Sequence, residues 1–371
     1  MKVPLLDIKE QNEFLRPEIE AALGRVLDTN GFILGAEVAA LENELAAYCG
    51  TKYAIGCASG SDALLLALMA FDVGYDDEVI TTPYSFFAST SSITRIGGVP
   101  IFVDIDPQTY NLNAGQVEER ITDKTKAIMP VHIYGQCAEM EKLREISRKY
   151  GIPLIEDAAQ AIGAEEFGKR AGAMSEIGCF SFYPSKNLGA MGDGGFMTTD
   201  DKELARKLFA LRVHGSEERY YHKWVGLNSR LDGFQGAILR VKLPHLDSWS
   251  NRRQENADFY RQLFTDAGLT EQITLPFERE NVRHIYNQFV IRVPERRDEL
   301  RVFLTESGIG TDVYYPVSLH LQECFEYLGY RKGDYPESEK ASLETLALPI
   351  YPELKHEQIS YVVKTIADFF A

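Results

Sequence analysis

The chain has 371 residues, 45% of them hydrophobic and 25% charged, which is the composition of an ordinary folded, water-soluble protein. Its formal net charge of -16 argues against a broad nucleic-acid-binding surface, because such surfaces rely on clustered Lys and Arg. The five cysteines lack metal-like spacing, and neither a signal peptide nor a membrane-spanning apolar run is found, so we expect a cytoplasmic protein with no metal and no membrane partner.

The first half of the chain predicts an α/β fold. Helical spacing of apolar residues predicts helices over 8–30 and 38–48, and after residue 50 short apolar runs alternate with helical patterns. The predicted strands cover 53–57, 78–81, 101–103, 127–132, 153–156, 179–182 and 196–199. The helices predicted between them cover 62–71, 115–121 and 140–150. This alternation predicts a mostly parallel sheet between two layers of helices.

The second half has a different texture. Residues 201–264 are largely helical in pattern, and the chain beyond about residue 270 mixes strands with helices. Strands are predicted over 285–293 and 311–315, and helices over 297–307 and 357–370. We therefore predict a large domain over 1–250, which includes the N-terminal helical segment, and a small C-terminal α+β domain over 251–371.

Lys186 lies in an unusual setting, among small and apolar residues in the segment 181–195 (SFYPSKNLGAMGDGG). Burial lowers the pKa of a lysine, because the charged form loses its hydration, and the neutral amine is then a nucleophile and a base. Such a lysine can hold a carbonyl compound as a Schiff base. The alternative is a solvated lysine on a surface loop, which is the usual place for a lysine.

Two further polar residues follow a predicted strand. Asp157 ends the apolar run at 152–157, where a parallel sheet would deliver it to the edge at which ligands bind. A buried carboxylate needs a cationic partner, and a protonated pyridine nitrogen would supply one. Gln160 lies close enough to contact the same ligand. Equally, Asp157 could cap a helix that begins at Ala158.

Other strand ends offer a phosphate site and an aromatic surface. The segment 58–64 (ASGSDAL) joins a strand to a helix through Gly60 and Ser61, whose backbone N–H groups would face a phosphate at the positive end of the helix dipole. Ser181 adds a hydroxyl, and Phe86 offers a ring on which a flat cofactor could stack. Together with the lysine and the carboxylate, these are the groups needed to hold pyridoxal 5'-phosphate (PLP).

At this point the chain resembles a known family. It is similar over almost its whole length to the DegT/DnrJ/EryC1/StrS sugar aminotransferases, which are fold-type I PLP enzymes. The segments that carry the resemblance are 31–35 (GFILG), 58–64, 130–136 (PVHIYGQ), 156–160 (EDAAQ), 181–195, 226–230 (GLNSR) and 314–316 (YYP).

The resemblance implies a role for each matched residue. Lys186 would form the internal aldimine with PLP, and Asp157 would pair with the pyridinium nitrogen. Gln160 would contact the phenolic oxygen and Phe86 would stack on the ring. Gly60, Ser61 and Ser181 would hold the phosphate, with Asn228 reaching in from the second subunit of a homodimer. Arg230, Tyr314 and Tyr315 would contact the nucleotide-sugar.

The resemblance also implies the reaction. L-glutamate would donate an amino group to a nucleotide-linked keto-sugar, in the biosynthesis of amino sugars for surface polysaccharide, lipopolysaccharide or natural-product glycosides. The motifs around Lys186 and Asn228 look most like those of members that aminate a 3-keto group, with amination at C4 as the alternative.

Three other functions are alternatives. Sugar dehydratases within the same family place His where this chain has Lys186. The segment 163–170 (GAEEFGKR) nearly matches a phosphate-binding loop of nucleotide hydrolases, but Arg170 stands where a Ser or Thr is required, so we interpret it as an accidental match in a hairpin. A cofactor-binding regulator without catalysis is the third, and no sequence feature favours it.

Overall fold

A central β-sheet organises the larger part of the computed structural model, which describes residues 1–371. The first nine strands of the chain are β1 (Tyr53–Cys57), β2 (Glu78–Thr81), β3 (Val99–Phe102), β4 (Thr125–Ile128), β5 (Ile155–Asp157), β6 (Glu165–Glu166), β7 (Lys169–Arg170), β8 (Ile177–Ser181) and β9 (Gly195–Thr199). All seven strands predicted in this region are present, with ends that differ by up to four residues from the predicted ones.

Seven of these strands form one sheet. Four lie in the order β1-β9-β8-β5 and three in the order β3-β2-β4, and parallel bridges from Ile128 to Leu154 and from Val131 to Asp157 join the two groups. The strand pairs are parallel except that β9 runs antiparallel to β1 and β8. The predicted mostly parallel sheet is therefore confirmed, and its carboxyl edge gathers the ends of β2, β4, β5 and β8.

Helices cover both faces of the sheet, as predicted. The first eight are α1 (Lys9–Thr29), α2 (Ala36–Cys49), α3 (Gly60–Ala70), α4 (Phe87–Arg95), α5 (Met140–Tyr150), α6 (Lys202–Leu211), α7 (Gly233–Lys242) and α8 (Leu246–Asp266). Side chains of β8 alternate between two cores: Ile177 and Cys179 pack with α3, α4 and α6, whereas Phe180 packs with α2, α5 and α7. This period of two is what a strand buried on both faces requires.

The C-terminal part has a separate core. The remaining elements are the hairpin strands β10 (Ser216–Glu218) and β11 (Tyr221–His222), then β12 (Val282–Arg283), β13 (Phe289–Arg292), α9 (Arg297–Glu306), α10 (Pro336–Glu344), β14 (Thr345–Leu348) and α11 (His356–Phe370). Apolar residues of α8, α9, α11, β13 and β14 form this core. Val3, at the other end of the chain, belongs to it through a parallel bridge with Ile309.

Two predictions of local structure were wrong, and one helix next to the site was not predicted. Residues 115–121 form two short 3-10 helices, Ala114–Gln116 and Glu118–Arg120, because Ala114 and Val117 are the only fully buried residues of this stretch and most of the others are exposed. Residues 311–315 make only one bridge, from Asp312 to Ala347, and no strand. Helix α4 was missed, because its sequence of small and hydroxyl residues has no clear apolar period.

The phosphate-loop-like segment is a hairpin, as interpreted. Strands β6 and β7 pair antiparallel, with Phe167 and Gly168 in the turn between them. A nucleotide hydrolase needs a strand, a loop and a helix at this motif, so the hydrolase interpretation is excluded. None of the helices combines the length and the apolar character that crossing a bilayer demands.

Candidate active site

A cavity of about 510 Å³ lies at the carboxyl edge of the sheet, and nine of the eleven predicted site residues line it. These nine are Gly60, Ser61, Phe86, Asp157, Gln160, Ser181, Lys186, Tyr314 and Tyr315. Asn228 and Arg230 do not line the cavity. Asn228 is exposed and Arg230 is half-buried, on the segment that follows the β10–β11 hairpin.

Lys186 lies in the loop that leaves β8. Its backbone N–H donates to the carbonyl of Tyr183 at 2.8 Å, which closes a turn that presents the side chain to the cavity. Burial lowers the pKa of Lys186 to about 8, and the negative charge of Asp157 offsets only part of that effect. A substantial fraction of the amine is therefore neutral near physiological pH, as a nucleophile or a base requires.

The loop that carries Lys186 is held on both sides. On one side the amide of Gln235, on α7, pairs with both backbone groups of Met191 at 2.9 and 3.2 Å, and Lys242 donates to the carbonyl of Gly189 at 2.8 Å. On the other side Asn187 donates to the carbonyl of Ile285 at 3.1 Å. The loop's backbone is thus fixed by groups that lie far from it in sequence.

Asp157 ends β5 and is 4% exposed. Its Oδ2 accepts a hydrogen bond of 2.6 Å from Ser89, and its Oδ1 accepts one of 3.2 Å from the N–H of Ala159. Burial raises the pKa of the carboxyl group, while the Ser89 hydroxyl opposes that rise. A cation placed against this carboxylate would be strongly bound. Asp157 does not cap a helix, because a turn and not a helix follows β5.

Gln160 is buried and both ends of its amide are used. Its Oε1 accepts from the N–H of Tyr134 at 2.7 Å, and its Nε2 donates to the hydroxyl of Tyr315 at 3.0 Å. Tyr315 in turn lies 6.0 Å from Phe86, ring centre to ring centre. The phenol, the amide and the exposed ring of Phe86 therefore form one continuous wall of the cavity.

The part of the cavity next to helix α3 can hold an anion. Helix α3 begins at Gly60, and the hydroxyl of Ser59 accepts from the N–H of Asp62 at 3.1 Å. The N–H groups of Gly60 and Ser61 make no hydrogen bond within the protein. A Cβ atom on Gly60 would lie 2.6 Å from Cβ of Ser181, so only glycine allows the hydroxyl to approach the free N–H groups.

Some residues of the site were not found from the sequence. Ser89 lies on α4, which was not predicted as a helix, and Gln288 lines the cavity from the C-terminal part of the chain. The one indication for Ser89 was its place shortly after a predicted strand, next to the segment that holds Phe86. Nothing in the sequence marks Gln288.

The residues present fit PLP. Free N–H groups and hydroxyls can bind its phosphate, the buried Asp157 carboxylate can hold a proton on its ring nitrogen, and Lys186 offers a neutral amine to its aldehyde. A mostly parallel sheet with these groups at its carboxyl edge defines the fold-type I class of PLP-dependent aminotransferases. Comparison with known proteins agrees. The chain belongs to the DegT/DnrJ/EryC1/StrS aminotransferase family, whose sequence profile matches residues 14–367.

Relatives extend over nearly the whole chain. A protein of Geobacillus stearothermophilus named pleiotropic regulatory protein is 52% identical over 100% of this chain and 99% of its own. The UDP-N-acetyl-3-dehydro-alpha-D-glucosamine 3-aminotransferase of Acidithiobacillus ferrooxidans is 42% identical, covering 98% and 97%. Among solved structures, Streptomyces venezuelae DesV in complex with a ketimine intermediate is similar at a TM-score of 0.96 and 42% identity, covering 99% and 98%.

Proposed function

We propose that this protein transfers the amino group of L-glutamate to the C3 keto group of a nucleotide-linked sugar. The candidate acceptors are dTDP-3-keto-6-deoxyhexoses and UDP-3-keto-hexosamines. The observation that carries the proposal is that Lys186 and Asp157 line one cavity and interact electrostatically there. Support for C3 comes from the names of relatives, one of which acts at C3 of a UDP-sugar.

The chain's own residues account for the proton transfers. When bound, PLP supplies an aldehyde carbon that condenses with amines and a ring that takes up the electrons of a broken C–H bond. With PLP bound, the neutral amine of Lys186 would act as the general base that takes the proton from the α-carbon of glutamate and then as the general acid that passes it on. With the keto-sugar, the same amine moves a proton in the reverse direction, to C3 of the sugar.

Two side chains keep the cofactor ring in its reactive state. Asp157 would hold a proton on the ring nitrogen, and the 2.6 Å hydrogen bond from Ser89 orients that carboxylate and favours its ionised form against the effect of burial. Gln160, fixed by Tyr134 and Tyr315, presents its amide to the phenolic oxygen. Orientation of these groups before the substrate arrives reduces the reorganisation that the reaction requires.

We further propose a homodimer in which Asn228 and Arg230 complete the site of the partner subunit. Both residues lie outside the cavity of their own chain. Large apolar side chains are exposed beside them, on the hairpin segment at Tyr220, Tyr221 and Val225. Exposed apolar groups that cluster in this way are typical of interfaces.

The reaction would belong to amino-sugar biosynthesis for surface polysaccharide, lipopolysaccharide or glycosylated natural products. We place it in the cytoplasm, since all five cysteines are free thiols, as in proteins of reducing compartments.

The test is a screen of the PLP-loaded protein with glutamate and a set of dTDP- and UDP-linked 3-keto and 4-keto sugars. We expect mass spectrometry to detect an amino sugar from a 3-keto substrate and none with the Lys186→Ala variant. If only the 4-keto sugars give products, the enzyme aminates C4 and the proposal of C3 is wrong.

A second candidate is a cofactor-binding regulator without turnover, which the name of the Geobacillus stearothermophilus relative suggests. Release of 2-oxoglutarate from glutamate decides between the two. If the loaded wild-type protein releases none, the aminotransferase proposal is wrong.

A further inference from the structure

Gln288 lies on the same cavity wall as Gln160, and both form hydrogen bonds with the backbone of Tyr134. The N–H of Tyr134 donates to Oε1 of Gln160 at 2.7 Å, and the carbonyl of Tyr134 accepts from the N–H of Gln288 at 3.4 Å. The side chain of Gln288 lines the cavity together with Lys186. The wall thus carries two glutamine amides from segments far apart in sequence.

The two amides differ in their partners. Gln160 uses both its oxygen and its nitrogen in hydrogen bonds within the protein. Oε1 of Gln288 is buried and accepts no hydrogen bond from the protein. A buried acceptor without a donor costs free energy, so an orphan oxygen on the wall of an active site points to a ligand that supplies the donor.

The segment that carries Gln288 also contacts the loop that carries Lys186. In that segment, Asn287 donates to Oδ1 of Asn187 at 2.8 Å, and Asn187 directly follows Lys186. This contact ties the segment that carries Gln288 to the catalytic loop. A substrate whose carbonyl carbon reacts near Lys186 would have the atoms next to that carbon within the same part of the cavity.

We propose that Oε1 of Gln288 accepts a hydrogen bond from a ring hydroxyl of the sugar, on a carbon adjacent to the one that is aminated. This inference rests on the proposed function. The carboxylates of glutamate and the phosphates of the nucleotide only accept hydrogen bonds, and the amine of glutamate is used in the reaction itself. The nucleotide's own donors, its ribose hydroxyls and base N–H, are separated from the reacting carbon by the diphosphate. The hydroxyls that flank the sugar's keto group are therefore the donors nearest to Lys186, so Gln288 determines which sugars are accepted.

The test uses the reverse half-reaction of the PLP-loaded enzyme with two amino sugars that differ in one hydroxyl. dTDP-3-amino-3,6-dideoxy-α-D-galactose has hydroxyls at both C2 and C4, and dTDP-3-amino-3,4,6-trideoxy-α-D-glucose has only the one at C2. Loss of the absorbance of bound PLP is followed for the wild type and for Gln288→Met, which keeps the length of the side chain and removes the acceptor. The half-reaction with glutamate is measured in parallel.

We expect Gln288→Met to lower the second-order rate constant about 10- to 100-fold for at least one of the sugars and to leave that of glutamate within about twofold. A loss confined to the dideoxygalactose assigns the contact to the C4 hydroxyl, and an equal loss for both assigns it to the C2 hydroxyl. Unchanged rates with both sugars, or an equal loss with glutamate, would overturn the inference.

The matched control is Gln254→Met. The Gln254 amide donates to the carbonyl of His284 at 3.0 Å, in the segment that leads to Gln288, but Gln254 does not line the cavity. A sugar-specific loss in this variant too would assign the effect to a displaced segment and count against a direct contact. If the wild type reacts with glutamate but neither with these two sugars nor with a UDP-3-amino-hexosamine, the proposed function fails, and the inference that rests on it fails with it.

Discussion

Lys186 combines an amine that has lost most of its hydration with a nearby carboxylate, and the two effects change its pKa in opposite directions. Burial dominates, so the pKa falls to about 8 instead of lying near the ordinary value of 10.5. Only the neutral amine attacks an aldehyde. The fraction of neutral amine therefore rises steeply as the pH increases from 7 to 9, and little further rise is left above that range.

We expect the rate at which the PLP-free protein captures PLP to rise through a midpoint near pH 8 and then to level off. Stopped-flow absorbance of PLP across pH 6 to 10 measures this rate. N-α-acetyl-lysine, whose amine is fully solvated, is the control, and its rate should still be rising at pH 10. A protein midpoint as high as that of the control would mean that Lys186 is exposed to solvent.

Ser89 acts directly on the carboxylate of Asp157. Its hydroxyl donates to Asp157, and it opposes the rise in the pKa of the carboxyl group that burial causes. We expect Ser89→Ala to weaken PLP binding about 10-fold, because a charge-assisted hydrogen bond contributes roughly 1.5–3 kcal/mol and a water molecule can replace part of it. Fluorescence titration of the PLP-free protein measures the affinity.

The control for Ser89 is Ser92→Ala on the same helix. The hydroxyl of Ser92 is also buried, but it donates only to the backbone carbonyl of Ser89. An equal loss of PLP affinity in both variants would show that the substitutions disturb α4 as a whole. The hydrogen bond between Ser89 and Asp157 would then make no separate contribution to PLP binding.

At the scale of elements, the sequence predicts regular structure best where apolar spacing and end signals agree. Helix α5 was predicted with its observed ends, because Met140, Leu143 and Ile146 share one face and Gly151 takes the left-handed conformation that stops a helix. Strands β1 and β2 were also predicted with their observed ends. Helix α4 lacks such a pattern. Tertiary contacts with α3 hold its small residues in place, and the sequence of α4 alone does not show those contacts.

The site residues, too, could be predicted only where the sequence carries a pattern that places them. Asp157 ends a strand, and Lys186 and Gly60 follow strands. The common edge of a parallel sheet brings strand ends together, so their meeting could be predicted. Ser89 meets Asp157 across 68 residues of sequence through a helix that has no periodic signal. Gln288 reaches the cavity from the C-terminal part of the chain, and no rule of spacing places it there.

The junction of α3 and β8 leaves no room for a side chain at Gly60. A Cβ atom there would lie 2.6 Å from Cβ of Ser181, so α3 or β8 must move. We expect Gly60→Ala to lower the free energy of unfolding by about 1–3 kcal/mol, as overpacking in a core usually does, and to weaken PLP binding. Urea unfolding measures the first effect and PLP titration the second.

The double variant Gly60→Ala/Ser181→Gly separates the two effects. Removal of the Ser181 side chain relieves the clash, so most of the stability should return, while the lost hydroxyl should leave PLP binding weak. If stability does not recover in the double variant, the contact between these two residues is not the cause of the destabilisation.

At the scale of the whole molecule, the site depends on parts of the chain that fold into different cores. The loop around Lys186 packs into the core of the central sheet through Leu188 and Ala190, yet Asn187 forms hydrogen bonds with Ile285 and Asn287, in the segment that leads into the C-terminal core. Tyr314 and Tyr315 reach the cavity from that C-terminal part as well. A cavity assembled in this way forms only when both parts are in place, and the proposed dimer adds a third contributor.

The dimer proposal makes a prediction about mixed subunits. If Asn228 serves the partner's site, a hybrid of a Lys186→Ala subunit and an Asn228→Ala subunit contains one intact site and one site that lacks both residues. When equal amounts of the two variants exchange subunits at random, half of the dimers are hybrids, and half of the sites in those hybrids are intact. The mixture should therefore recover about a quarter of the wild-type activity.

Amination of the keto-sugar measures this activity after the mixture has been denatured and refolded. Refolding each variant alone is the control, and differently tagged subunits verify that hybrids form. Verified hybrids without activity would place Asn228 outside the partner's site, because a residue that served only its own chain could not be complemented in this way.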